Sequence, residues 1–199
     1  MRATRSWSRR RAPSSRRWER GSSPRLRPGS ASSCTDVAGL RIYETAILPE
    51  WIDYNGHLRD AYYTLIVSLA SDALMDRLHL DAAYRKRTSC TLYTVEMHIH
   101  YLDEVKATDT ALVGVRIVGA DHKRIHAAFE ILRAGHTGAA AVAEVMLLHV
   151  RQRGETAASV PFPPEVQAAL AQLEAETAGL SAAGPPSRRL ELSSAPRSS

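Results

Sequence analysis

Arg59-Asp60-Ala61-Tyr62-Tyr63-Thr64-Leu65-Ile66-Val67-Ser68-Leu69-Ala70-Ser71-Asp72-Ala73-Leu74-Met75 is the stretch that decides the fold. Thr64, Ser68, Ser71 or Asp72, and Met75 recur at steps of three or four and make one narrow, mostly polar stripe. Tyr62, Tyr63, Leu65, Ile66, Leu69, Ala70, Ala73 and Leu74 fill most of the remaining circumference. That period predicts a helix over residues 59–78, and a helix apolar on so much of its surface is buried on several sides. Something must wrap it.

The wrapping comes from strands. Upstream, Leu40 and Ile42 open a weakly alternating strand that runs toward Leu48 and stops at Pro49, which has no N–H to give a ladder. Downstream, after a short helical turn within 80–88, Thr91–Leu102 alternates: Tyr93, Val95, Met97, Ile99 and Tyr101 against Thr94, Glu96, His98 and His100. Thr110–Val118, Arg124–Arg133 and Ala139–Val150 follow, the last nearly all apolar and therefore expected at the centre. The connections at 119–123 and 134–138 are short and carry Gly and Asp, as hairpins do. Pro161, Pro163 and Pro164 lead into a last helix whose thin stripe, Val166, Leu170 and Leu173, predicts a surface position. The class is α+β, an antiparallel sheet curled around one long helix.

Charge separates a tail from this domain. The net charge of the 199-residue chain is +5, but residues 1–35 hold ten Arg and one acid, Glu19, which leaves the rest at −4. Residues 1–36 are expected to be a disordered Arg/Ser-rich tail, 37–153 the folded domain, 154–180 a Pro-rich turn and surface helix, and 181–199 a flexible tail. An upstream start codon, an organelle-targeting segment and a nucleic-acid-binding arm compete for the basic tail. The acidic domain and the absence of a nucleic-acid-binding module disfavour the last. Cys34 and Cys90 make no disulfide framework, which fits a reducing, cytoplasmic setting. No apolar run is long enough to span a membrane.

Between strand and helix lies Trp51-Ile52-Asp53-Tyr54-Asn55-Gly56-His57-Leu58. Asp53 and His57 both exchange protons, Gly56 permits a tight turn or close backbone approach, and a helix start offers unpaired N–H groups. On spacing alone Asp53 reads as a turn and cap residue before it reads as a catalytic carboxylate, because caps are so common. His57 reads as a catalyst or as support for Asp53, and Asn55 as a donor to substrate or a turn residue. The amides near Gly56 and His57 are candidate oxyanion donors. Trp51, Tyr54, Tyr62 and Tyr63 offer aromatic faces to a cation, with core packing as the alternative. Lys123 and Arg124 are either phosphate ligands or a solvated turn. Glu96, His98 and His100 share one strand face, yet no matching third ligand spacing accompanies them, so no metal site is expected.

Asp53-Tyr54-Asn55-Gly56-His57 followed by Tyr62-Tyr63 resembles the Asp-x-x-Gly-His…Tyr signature of 4-hydroxybenzoyl-CoA-type thioesterases, whose hotdog fold has the same element order. Pro49–His57, Tyr93-Thr94-Val95-Glu96, Tyr101-Leu102-Asp103-Glu104-Val105 and Lys123-Arg124-Ile125-His126 are similar to the betainyl-CoA thioesterases linked to carnitine degradation. The likeness runs over residues 40–180, and Arg59 departs from the Asn that many relatives place there. It implies a hotdog thioesterase without metal or organic cofactor, with Asp53 as nucleophile or general base. It also implies His57 and Asn55 beside it and oxyanion donors at Gly56 and His57. Trp51, Tyr54, Tyr62 and Glu96 would line the acyl pocket, with Lys123 and Arg124 on coenzyme A. The implied substrate is a short acyl-CoA, betainyl-CoA foremost, and the implied assembly a homodimer or homotetramer with active sites between subunits. A thioesterase for another acyl-CoA or for acyl carrier protein, and a non-catalytic acyl-CoA-binding module, are the alternatives.

Overall fold

In the computed structural model, which describes residues 39–180, the long helix α1 spans Asp60–Arg77. It follows strand β1 (Leu40–Ala46) and a single 3-10 turn at Pro49–Trp51. Then come α2 (Ala82–Thr88), β2 (Cys90–Tyr101), β3 (Thr110–Ala120), β4 (Arg124–Arg133), β5 (Ala139–Arg153), β6 (Thr156–Ser159) and α3 (Pro164–Thr177). The tails expected at residues 1–36 and 181–199, and Cys34 with them, lie outside the described residues, and Cys90 is a free, buried thiol.

The strands form one antiparallel sheet in the order β1-β3-β4-β5-β2, with β6 paired to the end of β5. Alternation puts Val113, Val115 and Ile117 of β3 in register with Ile131, Phe129 and Ala127 of β4, and these with Ala141, Ala143 and Val145 of β5. That face meets Tyr63, Ile66, Val67, Ala70 and Leu74 of α1 in one core. Fully burying a side chain such as Ile66 or Leu74 stabilises the fold by about 1.5–3 kcal/mol. The α+β hotdog arrangement follows from this single contact between one helix and one sheet face. The expected burial of α1 on several sides is not met among the described residues of one chain, where Thr64, Leu65, Ser68 and Asp72 are exposed on the side away from the sheet.

Four other expectations change. The consecutive hairpins hold for β3–β4 and β4–β5, but β2 does not pair with β3; it crosses to the far edge and pairs with β5. β2 does not alternate in one phase either. A register shift between Thr94 and Glu96 makes Val95 a bulge, so Cys90 and Leu92 face the core before it and Met97 and Ile99 after it. The terminal helix is more than a surface helix. Val166, Leu170, Leu173 and Thr177 of α3 are buried, the Thr177 hydroxyl accepts the Ile117 N–H at 3.4 Å, and Glu176 pairs with Arg77 at 2.6 Å. Finally, β6 has no sequence signal, being four exposed residues.

Candidate active site

Pro49 starts the 3-10 turn with its fixed φ, and the chain then folds back on itself across the Ile52–Leu58 bridge. Asp53 N–H donates to His57 C=O at 2.8 Å, and Gly56 N–H to Asp53 C=O at 3.1 Å. Gly56 sits at φ +86°, a conformation that other residues adopt only with strain. The Asp53 carboxylate lies inside this loop. Oδ1 accepts the Asn55 N–H at 2.8 Å and the His57 N–H at 3.1 Å, while Oδ2 accepts, among the described residues, only the Asn55 side-chain amide at 3.4 Å. The His57 N–H is the main influence holding the Asp53 carboxyl below its ordinary pKa, assisted by Asn55 and opposed by desolvation. The group is therefore ionised at neutral pH, with Oδ2 the less engaged oxygen.

The oxyanion donors expected at Gly56 and His57 are thus occupied within the loop, because the turn that places Asp53 uses both N–H groups. The next donor along the chain is the Asp60 amide, at the first position of α1. It has no hydrogen-bond partner among the described residues, and Arg59, the N-cap, provides no side-chain cap. That donor escapes a motif reading because it belongs to the helix start rather than to the Asp-x-x-Gly-His residues.

The His57 ring reaches the loop after β2, where Nε2 meets Glu104 Oε2 at 2.8 Å. Leu58 N–H donates to Val105 C=O at 2.7 Å, and His57 bridges Lys106. The same loop is tied down by an Arg133–Asp103 ion pair and by the Tyr63 hydroxyl, which donates to Asp103 C=O at 3.4 Å. Burial pushes the Tyr63 phenol up to about 12, so it remains protonated as a donor.

The aromatic residues divide. Trp51 and Tyr62 stack on each other, centroids 5.3 Å apart and 16° from parallel, beside the Asp53 loop. Tyr63 is buried edge-on to Tyr101 at 5.1 Å. Tyr54 is 96% exposed and meets none of them within this chain. Glu96, Lys123 and Arg124 stand elsewhere. β3 starts beside the Asp53 loop, where Ile47 N–H donates to Asp109 C=O, and ends at the turn that carries Lys123 and Arg124. Ten strand steps make that roughly 30 Å. Glu96 is in register with Met146, which pairs with His126 near the same far end. Its partner is His98 Nε2 at 2.9 Å, and among the described residues no three His, Cys, Asp or Glu side chains group as a metal would need. In the turn, Asp121 accepts the Lys123 and Arg124 amides and pairs with the Arg124 guanidinium at 2.7 Å, and Lys123 Nζ reaches Ser159 Oγ at 3.5 Å. Partial burial pushes the Asp121 carboxyl up, but these donors outweigh it and hold it below its ordinary value.

One buried polar node was not singled out from the sequence. His149, 1% exposed on β5, stacks on Phe162 at 4.9 Å. Its Nδ1 lies 3.0 Å from Val160 C=O and 3.1 Å from Pro161 C=O, and its Nε2 lies 3.0 Å from the Tyr84 hydroxyl. The available signal is a histidine inside an otherwise apolar strand.

With this geometry, the chain can be set beside known proteins. A family model described as the thioesterase-like superfamily matches residues 47–170. The betainyl-CoA thioesterase of Pseudomonas aeruginosa is 45% identical over 136 residues, 68% of this chain and 82% of that protein. A solved structure of a candidate thioesterase from Pseudomonas putida is 40% identical with a TM-score of 0.67, over 80% of this chain and all of the other. A Staphylococcus aureus protein solved in complex with CoA is 25% identical with a TM-score of 0.63, over 77% of this chain and all of that one.

Proposed function

This chain belongs to the thioesterase-like superfamily and is an acyl-CoA thioesterase, and from that premise we propose that it hydrolyses betainyl-CoA to glycine betaine and coenzyme A with Asp53 as the reacting carboxylate. The observation that carries the proposal is an ionised Asp53 with Oδ1 fixed by two backbone amides and Oδ2 held only by the longer 3.4 Å bond from the Asn55 side chain among the described residues. A carboxylate with a lowered pKa is a weak general base, since proton abstraction works best with a pKa near the working pH. The same low basicity weakens it as a nucleophile, so the shift does not choose between the two roles, and direct attack is the first of them. Oδ2 adds to the thioester carbonyl, the C–S bond breaks, and coenzyme A leaves as the thiolate. Water then opens the mixed anhydride, which releases the acid and restores Asp53. The Asp60 amide, without a partner among the described residues at the first position of α1, is the oxyanion donor proposed. The alternative, Asp53 activating water, uses the same residue.

The substrate assignment draws on the Pseudomonas aeruginosa relative. The stacked Trp51 and Tyr62 beside the loop supply an aromatic wall for a trimethylammonium group.

The working unit proposed is a homodimer in the cytoplasm. β2 is an edge strand with Val95 and Tyr101 each 53% exposed, and an apolar edge of that kind invites pairing with a second copy. Asp53 lies at one end of the sheet and Glu96, Lys123 and Arg124 at the other. Antiparallel pairing of two β2 edges brings one group from each copy together, with Lys123 as the coenzyme A cation and Arg124 largely held by Asp121. No helix among the described residues is long and apolar enough to cross a membrane.

A panel of acyl-CoA thioesters assayed for thiol release tests the reading. Betainyl-CoA is expected to give the highest kcat/KM, and a preference for aromatic or long-chain acyl groups would overturn the substrate assignment.

A further inference from the structure

The loop that carries Asp53 has little to hold it. Tyr54, Asn55 and Gly56 are exposed, and Gly56 sits at positive φ. Its fixed point is His57, whose N–H holds Asp53 Oδ1 and whose C=O accepts the Asp53 N–H. Whatever fixes His57 therefore helps to fix the carboxylate, alongside the Asn55 N–H at 2.8 Å. Beside the Ile52–Leu58 bridge, three contacts to the loop after β2 do so: the Leu58–Val105 hydrogen bond, the His57–Lys106 bridge, and the Glu104 carboxylate on His57 Nε2. Val105 is fully buried and Asp103 is paired with Arg133, so this loop is a firm support.

We propose that Glu104 is a positioning residue of the thioesterase reaction, gripping the His57 imidazole so that the His57 amide keeps Asp53 Oδ1 in place and leaves Oδ2 directed outward. The proposal rests on the reading of Asp53 as the reacting carboxylate. It adds a residue that approaches from another loop, 47 positions beyond His57, and that touches no substrate.

Size separates this role from a merely stabilising one. The His57 and Glu104 side chains are 31% and 60% exposed, and ion pairs in that setting contribute little to folding. Displacement of a reacting group is far more damaging, because a misplacement of about 1 Å can lower a rate about a hundredfold. Glu104 thus affects turnover out of proportion to stability. The charged groups that the loop's neighbours bring near Asp53 include His57 from its own loop, Arg59 and Asp60 from the start of α1, and Glu104, Lys106 and the Arg133–Asp103 pair from the supporting side.

The test compares wild type, Glu104→Gln, Glu104→Ala and Asp53→Asn for thiol release from betainyl-CoA across pH, with Tm measured for each. Glu104→Ala is expected to lower kcat about ten- to hundredfold with KM little changed and Tm close to wild type. The acid limb of its kcat/KM profile moves to higher pH, because the amide that favours ionised Asp53 is loosened. Glu104→Gln, whose side-chain oxygen still accepts from Nε2–H, recovers part of the rate. Unchanged kcat and acid limb in both Glu104 variants overturn the proposal, as does a loss of rate that simply follows a loss of Tm. If Asp53→Asn turns over like wild type, the reading of Asp53 falls. If it is inactive while Glu104→Ala is normal, the role of Glu104 alone falls.

Discussion

Replacing Tyr84 with Phe probes the buried node beneath the α2–β5 contact, because it removes one oxygen and leaves the ring. His149 Nδ1 faces two backbone carbonyls, Val160 and Pro161, at 3.0 and 3.1 Å, and carbonyls only accept. Nδ1 must therefore carry the proton and Nε2 must accept, which makes the Tyr84 hydroxyl the donor across 3.0 Å. His149 is 1% exposed and Tyr84 3% exposed, so no water replaces the lost hydroxyl without opening the core. An acceptor left buried and unpaired costs about 1–3 kcal/mol. The ring contacts survive, since Phe keeps the ring that packs on His149 and lies under the Arg87 guanidinium at 5.6 Å. In a domain of this size each kcal/mol shifts Tm by about 2–4 °C, so a fall of about 4–8 °C is expected for a central loss near 2 kcal/mol. Differential scanning calorimetry at pH 7.5 reads it. A Tm within about 1 °C of wild type, below the shift expected for the smallest loss, would refute the tautomer and the donor assigned to this node.

Two further outcomes concern pH and capping. Burial, chiefly, holds the His149 and His126 imidazoles below their ordinary pKa, so both are neutral when folded but bind protons near pH 6.5 when unfolded. The unfolded state then gains protons first as pH falls. Stability should be full above about pH 6.5 and drop below it, by up to about 1.4 kcal/mol per pH unit for each histidine. A thermal-melt series from pH 7.5 to 5 checks this, and a Tm that is flat or rises toward pH 5 would contradict it. Arg59 occupies the N-cap of α1 with the extended backbone that caps require, φ −65° and ψ 142°, but cannot accept a hydrogen bond. Arg59→Asn should therefore stabilise the fold by about 1 kcal/mol, visible as a higher midpoint in urea, and an unchanged or lower midpoint would contradict it.

Local pattern reached much of this structure. The helix at 59–78 and the strand at 124–133 were legible because their periods arise within the segment, and α1 and β4 occupy nearly those residues. Partner choice was not legible. β2 and β3 are neighbours in sequence and both alternate, but the choice of β5 over β3 depends on which edge completes the core. The Val95 bulge reverses the phase of β2 halfway along, which a simple alternation of apolar residues hides. The thin stripe of α3 is enough to bury Val166, Leu170 and Leu173 because the helix packs against β3, a partner its own sequence does not reveal. At the site, the Asp53–His57 loop was readable as a unit because its hydrogen bonds are local. Glu104 and the Asp60 amide were not: the first is joined to His57 only through space, and the second matters only because the loop uses the Gly56 and His57 amides.

Asp53→Asn, assayed for thiol release with betainyl-CoA, tests the central claim most directly. Asn keeps an oxygen that can accept the Asn55 and His57 N–H groups, so the loop is retained while the charge and the attacking oxygen are lost. The account predicts a fall in kcat of about 10²–10⁴-fold with coenzyme A still bound in calorimetric titration. A variant that hydrolyses betainyl-CoA at the wild-type rate would contradict it.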